Sequence, residues 1–446
     1  MKRQLLLNLQ LWKTKHERLP LVLKGARQVG KTYILKEFGE QNFRRSHYLN
    51  FEEDETVKKV FLTDLKVERI LRELSFHLNS DINPEQDLLI FDEVQYCPRV
   101  LTSLKYFAEN LPQLAVAAAG SLLGVMLSKD AFPVGKVEFL NLFPMDFHEF
   151  LNGVDEKKAG QFLSEYKPGE EIPEIIHLRL WELFKHYLVC GGLPKVIDTY
   201  RREKNDLFAA TEKVRDRQTD LINSYCADIA KHSGIENAMH ITRVWENIPL
   251  QLARESDGSS GKFTFQGVLP GKKGYVQLAG PIDWLTAAGL IHRVSIANSA
   301  KLPIKAFTKD NFFKLYLFDV GILAALSRMP AKVILNYDFG SYKGYVAENF
   351  VIQELHSAGV DECFSWKENT AEIELLFSFD EHLIPIEIKS GHVTQAKSLK
   401  VFAEKYQPPL KVVLSGKNFY FDRTKKTCFV PLYLAGRLKQ LIEYIL

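Results

Sequence analysis

The sequence predicts an α/β protein with a parallel sheet in its first third and a mixed sheet near its end. A chain of 446 residues suggests roughly three domains, at about 150 residues each. A hydrophobic content of 46% is enough for several buried cores. Short apolar runs alternate with amphipathic stretches over residues 1–150, which is the pattern of strands joined by helices.

Five strand-length runs in the first third are almost continuously apolar, as expected for strands buried on both faces. They occupy residues 19–23, 48–51, 88–91, 114–119 and 137–142. Residues 32–38, 56–79 and 98–111 lie between these runs and carry apolar positions at helical spacing. This alternation predicts a parallel sheet covered by helices, forming a first domain over residues 1–151.

The middle of the chain is predicted to be mainly helical. A polar stretch rich in Gly, Pro and Glu, residues 152–173, predicts a domain boundary, and residues 175–255 have helical spacing broken only at Cys190-Gly191-Gly192-Leu193-Pro194. The elements predicted next are a surface loop at 256–274, a helix at 277–288 and strands at 291–296 and 306–319. Helices followed by a β-hairpin are typical of a winged helix, so residues 174–330 are predicted as a helical and winged-helix-like domain.

The last part of the chain, residues 331–446, is predicted as a mixed α/β domain. The predicted helices are 345–358, 395–405 and 434–445, and the predicted strands are 363–367, 372–379, 384–389 and 411–415.

Composition excludes several classes of protein. No apolar run reaches about 18 residues, so no membrane span is predicted, and the N-terminus lacks a signal-peptide pattern. The net charge is only +3, so global charge alone does not indicate a nucleic-acid partner. The cysteines show no metal-ligand spacing and are expected to be reduced in a cytoplasmic protein; they are Cys97, Cys190, Cys226, Cys363 and Cys428.

A phosphate-binding motif follows the first predicted strand and opens the first predicted helix. It reads Gly25-Ala26-Arg27-Gln28-Val29-Gly30-Lys31-Thr32, with Tyr33 next, and matches GxxxxGK[ST]. The glycines let backbone N–H groups converge on phosphate oxygens at a helix N-terminus. Lys31 is expected to reach the β- and γ-phosphates and Thr32 to take one Mg²⁺ position. The motif predicts nucleoside triphosphate binding.

Two acids complete the predicted nucleotide site. Asp92 and Glu93 end the apolar strand 88–91, where Asp92 is expected to hold Mg²⁺ through water and Glu93 to polarise the attacking water. Adjacent Asp and Glu indicate hydrolysis. Ser121 ends the next apolar strand and is read either as a sensor of the γ-phosphate or as a simple turn serine. Gln95 either faces the nucleotide or acts as a cap.

These residues resemble the AAA+ superfamily, and more narrowly a group of predicted prokaryotic ATPases whose P-loop core precedes a domain of unknown function. The blocks that carry the resemblance are GARQVGKT (25–32), LLIFDEVQ (88–95), AGS (119–121), LFPMDFHEFL (142–151), YLVCGGLPKVI (187–197), KLYLFDVGILAAL (314–326), GYVAENFVIQEL (344–355) and IPIEIKSG (384–391). The resemblance implies ATP and Mg²⁺ as cofactors and a homo-oligomer. Where the group usually has Gly-Arg, this chain has Gly135-Lys136, which keeps the charge of an arginine finger but loses its bidentate fork.

A second group of charged residues lies in the C-terminal region. Glu387 and Lys389 are two apart on a strand and point to one face, Glu374 lies on the preceding strand, and Glu348 on the helix before. The arrangement resembles the PD-(D/E)xK nuclease superfamily, with Glu374 where Asp is usual. It implies a divalent cation held by Glu374 and Glu387 for phosphodiester attack. The other interpretation is alternating charge on an exposed strand.

The predicted helix 277–288 has no Lys or Arg, so sequence-specific DNA reading by that helix is disfavoured. The basic residues near this helix indicate either dispersed contacts with DNA phosphates or simply a face exposed to solvent. They are Lys262, Lys272, Lys273, Arg293, Lys301 and Lys305. The hypothesis from the sequence is an ATPase that acts on DNA without sequence specificity, using a nuclease-like C-terminal domain. The alternative is an ATP-driven switch whose degenerate nuclease fold docks proteins.

Overall fold

The computed structural model describes residues 1–121, 123–126, 135–252, 261–391 and 397–446. Parts of the predicted loop 256–274 and of the predicted helices 175–255 and 395–405 lie outside these ranges. The chain divides into two compact units: the first comprises residues 1–143 with 287–289, and the second comprises 144–286 with 290–446. Within the described ranges, no helix has the length and apolar character that crossing a membrane requires.

The first unit contains a five-stranded parallel sheet. Its strands are β1 (Leu21–Lys24), β2 (Arg45–Asn50), β3 (Asp87–Asp92), β4 (Ala115–Ala119) and β5 (Glu138–Asn141), in the order β2-β3-β4-β1-β5. Its helices are α1 (Leu5–Thr14), α2 (Lys31–Asn42), α3 (Glu55–Thr63), α4 (Val67–His77), α5 (Arg99–Asn110) and α6 (Leu123–Met126). The predicted α/β class with a parallel sheet is confirmed.

Two details of the first unit differ from the prediction. The prediction of burial on both faces is correct for the inner strands β3 and β4 but wrong for β2 and β5. These two are the edge strands of the sheet, and along each of them more exposed residues alternate with more buried ones. The predicted helix 56–79 is divided in two. The break occurs at Asp64, whose Oδ1 accepts from Lys66 N at 3.0 Å and from Arg69 Nε at 2.8 Å, so its side chain satisfies the start of the second helix.

The second unit combines helices with an eight-stranded mixed sheet. The helices are α7 (Phe147–Gly153), α8 (Lys157–Glu165), α9 (Glu174–Cys190), α10 (Pro194–Glu203), α11 (Leu207–Ser233), α12 (Ile235–Leu252), α13 (Tyr275–Ala287, which ends in the first unit), α14 (Val320–Leu326), α15 (Ala331–Leu335), α16 (Tyr342–Ser357), α17 (Lys397–Tyr406) and α18 (Leu438–Ile445). The strands are β6 (Ile291–Ala297), β7 (Thr308–Leu317), β8 (Phe364–Glu368), β9 (Ala371–Phe379), β10 (His382–Ile388), β11 (Lys411–Ser415), β12 (Tyr420–Asp422) and β13 (Thr427–Pro431). Their order is β12-β13-β11-β10-β9-β8-β6-β7.

This sheet crosses the predicted domain boundary near residue 330. Strands β6 and β7 form the antiparallel hairpin that was expected as a wing, and β6 also pairs in parallel with β8. The hairpin is therefore one edge of the mixed sheet. The polar stretch 152–173, expected as a boundary, contains α8. The winged-helix-like domain and the boundaries at 151, 174 and 330 remain predictions.

A buried carboxylate organises the turn that interrupts the helical region. Asp319 Oδ2 accepts from Gly192 N at 2.6 Å, and its Oδ1 accepts from Ile322 N at 2.9 Å at the start of α14. Gly191 has φ 71°, and a Cβ there would lie 2.2 Å from Asp319 Oδ1, so a side chain cannot be accommodated. Burial raises the pKa of Asp319 to about 6, although the backbone hydrogen bonds that its carboxylate accepts act to lower it.

Candidate functional site

The phosphate motif forms a tight loop between β1 and α2. Gly25 has φ 153°, and a Cβ there would lie 2.2 Å from Leu142 O. Gln28 and Gly30 also have positive φ, at 66° and 102°. The loop therefore needs glycine at Gly25 for space, and at Gly30 for a backbone conformation that L-residues rarely adopt.

Lys31 closes this loop from inside. Its side chain is 6% exposed, and Nζ donates to Gly25 O at 3.0 Å and to Ala26 O at 2.8 Å. Burial lowers the pKa of Lys31 to about 8, against the opposing charges of Glu93 and Asp92, and Arg27 lowers it further. The ammonium group is thus held among loop carbonyls, where a phosphate would be a better partner.

Asp92 and Thr32 meet across the carboxyl edge of the sheet. Thr32 Oγ1 donates to Asp92 Oδ2 at 2.6 Å, and Tyr48 OH donates to the same oxygen at 3.0 Å. The other oxygen, Oδ1, accepts from Glu93 N at 3.0 Å. A hydroxyl paired with a carboxylate is a ligand set that suits Mg²⁺, so these residues fit the predicted metal. The sequence did not indicate Tyr48, which approaches from β2, the strand next to β3.

Gln95 connects the other two predicted polar residues. Its Nε2 donates to Glu93 Oε2 and lies 3.3 Å from Ser121 Oγ. Its Oε1 is buried and has no hydrogen-bond partner within the described part of the chain. Burial raises the pKa of Glu93, and the hydrogen bond from Gln95 opposes that rise. Gln95 therefore lies inside the site and bridges Glu93 and Ser121.

Arg27 and Tyr33 of the motif, and Lys136 outside it, are less buried than Lys31. Arg27 Nη2 lies 3.9 Å from Glu52 Oε2. Tyr33 is 55% exposed and its hydroxyl accepts from the N-terminal amine at 3.4 Å. Lys136 Nζ is 3.3 Å from Glu109 Oε1, and its side chain is 43% exposed.

The C-terminal acids also come together. Strands β9 and β10 pair antiparallel, with Leu375 opposite Ile386. Lys389 Nζ lies 2.6 Å from Glu387 Oε1 and 3.8 Å from Glu374 Oε1. Both glutamates are buried, and burial together with the Glu387 charge raises the pKa of Glu374 well above its usual value.

Glu348 is already engaged by other side chains. Tyr316 OH donates to Glu348 Oε2 at 2.6 Å, and Lys314 Nζ lies 3.6 Å from the same oxygen. Lys314 is 1% exposed and also lies 2.6 Å from Glu372 Oε1. Tyr316 and Lys314 lie on β7, which precedes the predicted motif, so the motif did not predict these two contacts. Across the described ranges, no group of three or more His, Cys, Asp or Glu side chains is arranged to hold a metal ion.

Three regions of the chain match known families. Residues 17–151 match the family model of the AAA domain. Residues 181–333 match one domain of unknown function (DUF8612) and residues 343–435 another (DUF4143). No curated protein matches the chain. With its five-stranded parallel sheet and its phosphate loop, the first unit has the fold of an AAA-type P-loop ATPase.

Similar solved structures include a Walker-type ATPase of Pyrococcus abyssi, with 16% identity, a TM-score of 0.46, and coverage of 72% of this chain and 93% of that one. Cdc6p from Pyrobaculum aerophilum has 12% identity and a TM-score of 0.28, covering 74% of this chain and 93% of its own. Drosophila ORC bound to DNA has 14% identity and a TM-score of 0.26, covering 75% and 95%.

Proposed function

We propose that the first unit is a Mg²⁺-dependent ATPase. The observation that carries this proposal is the 2.6 Å contact between the Thr32 hydroxyl and Asp92, with Glu93 next along the chain. A hydroxyl at the end of the phosphate loop and an acid at the end of β3 are the pair that holds Mg²⁺ in P-loop hydrolases.

Each residue of the proposed site has a separate role in binding or hydrolysing ATP. Lys31 and the loop amides hold the β- and γ-phosphates, and Thr32 and Asp92 hold the metal. Mg²⁺, when bound, supplies a Lewis acid that neutralises charge developing on the phosphates. Glu93 orients the attacking water and accepts its proton. Gln95 holds the Glu93 carboxylate in place, and Ser121 lies where it contacts the γ-phosphate.

The test is phosphate release by the purified protein with and without Mg²⁺. We expect Lys31→Ala to abolish turnover and Glu93→Gln to bind ATP without hydrolysing it. Lys59→Ala removes an exposed lysine of α3 in the same unit and serves as the matched control. Retained hydrolysis in Lys31→Ala would refute the assignment of the site.

We also propose metal-dependent phosphodiester cleavage at the C-terminal acids. The observation that favours it is the burial of Glu374 and Glu387 side by side near Lys389, with Glu387 Oε2 lacking a hydrogen-bond partner within the described residues. Two crowded carboxylates are stabilised by a divalent cation, which relieves their repulsion. Glu374 and Glu387 would hold the cation, Lys389 would stabilise the developing charge, and Glu348 would support the site from α16.

Nicking of DNA in Mg²⁺ or Mn²⁺ tests this second proposal. Glu387→Gln should abolish nicking, and Glu381→Gln is the control because its side chain, in the turn between β9 and β10, is 85% exposed. Equal nicking by wild type and Glu387→Gln would contradict the proposal. Absence of nicking on every substrate would favour the ATP-driven switch with a protein-docking module, which is consistent with the neutralisation of Glu348 by Lys314.

We propose that DNA contacts a basic cavity of the second unit without reading its sequence. The cavity has a volume of about 450 Å³, and its lining includes Arg243, Lys272 and Lys273 and, within the described residues, no Asp or Glu. Such cations contact phosphates of any sequence and bind less tightly as salt rises. ATPase rates with single-stranded, duplex and branched DNA test the proposal. Stimulation by DNA without cutting would indicate remodelling, and no stimulation or binding at low salt would exclude a DNA role.

A further inference from the structure

We infer that Arg3 is a positioning residue of the phosphate-binding loop, an inference that rests on the proposed ATP site. Arg3 lies just before α1 and is 7% exposed. Its Nη1 donates to Val29 O at 2.8 Å, and its Nη2 donates to Phe143 O at 2.6 Å. The first of these carbonyls belongs to the phosphate loop itself, one residue before Gly30.

The hydrogen bond to Val29 O controls the direction of a loop amide. In a trans peptide the C=O and the following N–H point in opposite directions, and the only cis peptide within the described residues is Leu302–Pro303. While Arg3 holds Val29 O, the Gly30 N–H therefore points away from Arg3. Gly30 N–H is one of the loop amides expected to converge on phosphate oxygens. Gly30 has no side chain to restrict this peptide, so the hydrogen bond from Arg3 to Val29 O limits how the peptide can rotate.

The second hydrogen bond makes Arg3 a fixed support. Phe143 follows β5, and the preceding residue, Leu142, donates its N–H to Lys24 O at 2.8 Å at the end of β1. The guanidinium therefore joins the loop to the segment after β5, which is itself hydrogen-bonded to the end of β1, where the loop begins. Its planar fork can hold two carbonyls at once, whereas a lysine ammonium on a flexible stem holds them less rigidly.

Nucleotide affinity in matched arginine variants tests this role. We expect Arg3→Ala to weaken binding of both ATP and ADP by the same factor, about tenfold or more, because both nucleotides carry the β-phosphate. The value of kcat at saturating ATP should change less than threefold, since Glu93 and Asp92 are not touched. Arg3→Lys should give a smaller loss of nucleotide affinity. It replaces Arg3→Ala as the test variant if Arg3→Ala does not fold.

Arg18 is a matched control in the same unit. It also links two carbonyls, since Nη2 donates to Gln113 O at 2.6 Å and Nη1 to Lys13 O at 3.2 Å, but neither carbonyl is in the phosphate loop. We expect Arg18→Ala to keep nucleotide affinity within twofold of wild type, even if its thermal midpoint falls. This comparison separates loop positioning from a general loss of stability.

The outcomes also separate this inference from the ATPase proposal. If wild type binds ATP and Arg3→Ala binds it within twofold, the role of Arg3 is overturned and the ATPase proposal stands. Equal losses in Arg3→Ala and Arg18→Ala would likewise overturn it, since the effect would then be one of stability. If wild type binds no ATP, the proposed function fails, and the role of Arg3 fails with it.

Discussion

Binding of ATP to this protein should take up a proton above pH 8. The pKa of Lys31 is lowered from 10.5 to about 8, first because the side chain is buried. Phosphate oxygens placed beside the ammonium should return the pKa toward its ordinary value. At pH 9 a group with a pKa of about 8 is only about 9% protonated, so binding should take up roughly 0.9 proton per nucleotide. At pH 7 the uptake should be only about 0.1.

The lowered pKa of Lys31 makes ATP affinity and the free energy of unfolding depend on pH with opposite signs. ATP affinity should fall about tenfold per pH unit above 8, because the free protein must first regain the proton. The shift from 10.5 to about 8 corresponds to a free energy of about 3 kcal/mol for protonating the buried side chain. The free energy of unfolding without nucleotide should instead rise from pH 8 to 10.5. In this window the unfolded lysine binds the proton and the folded one does not.

Titration calorimetry in buffers of different ionisation enthalpy measures the proton uptake directly. The phosphates of ATP do not contribute above pH 8, since their last ionisation lies near pH 6. Lys31→Arg is the control because arginine stays charged over the whole pH range, so this variant should take up no proton when ATP binds. An uptake below about 0.2 proton at pH 9 in wild type, or equal uptake in Lys31→Arg, would refute the reasoning.

Three substitutions give further predictions. Tyr48→Phe removes one hydrogen bond to Asp92, worth about 1 kcal/mol, and should raise the Mg²⁺ concentration for half-maximal ATPase about fivefold; an unchanged Mg²⁺ titration would contradict this. Gly120→Ala places a Cβ 2.5 Å from Gln95 Oε1, so kcat should fall about tenfold or more while ATP affinity is kept, and a normal kcat would argue against a role for Gln95. Asp319→Asn leaves one buried backbone N–H without an acceptor and should lower the free energy of unfolding by about 1–3 kcal/mol; urea denaturation of the full chain tests this, and an unchanged midpoint would disprove it.

The C-terminal site shows how far a sequence motif reaches. The prediction that Glu374 and Glu387 lie on neighbouring strands is confirmed, because alternation of residues along the chain indicates strands. Lys389 directly follows the last residue of β10 and still contacts Glu387. The motif did not predict Lys314, which lies on β7 and pairs with Glu348. The sequence around a single lysine in an apolar strand does not show whether that lysine is buried or exposed.

The sequence by itself determined the parallel sheet, the phosphate loop and the acids at the end of β3, because each depends on residues close together in the chain. Only the tertiary structure decided which distant side chains contact the proposed nucleotide site. Arg3 contacts carbonyls 26 and 140 residues away, and Tyr48 reaches Asp92 from 44 residues away. Local periodicity specifies helices and strands, but the meeting of two single side chains depends on how the packed elements bring them together.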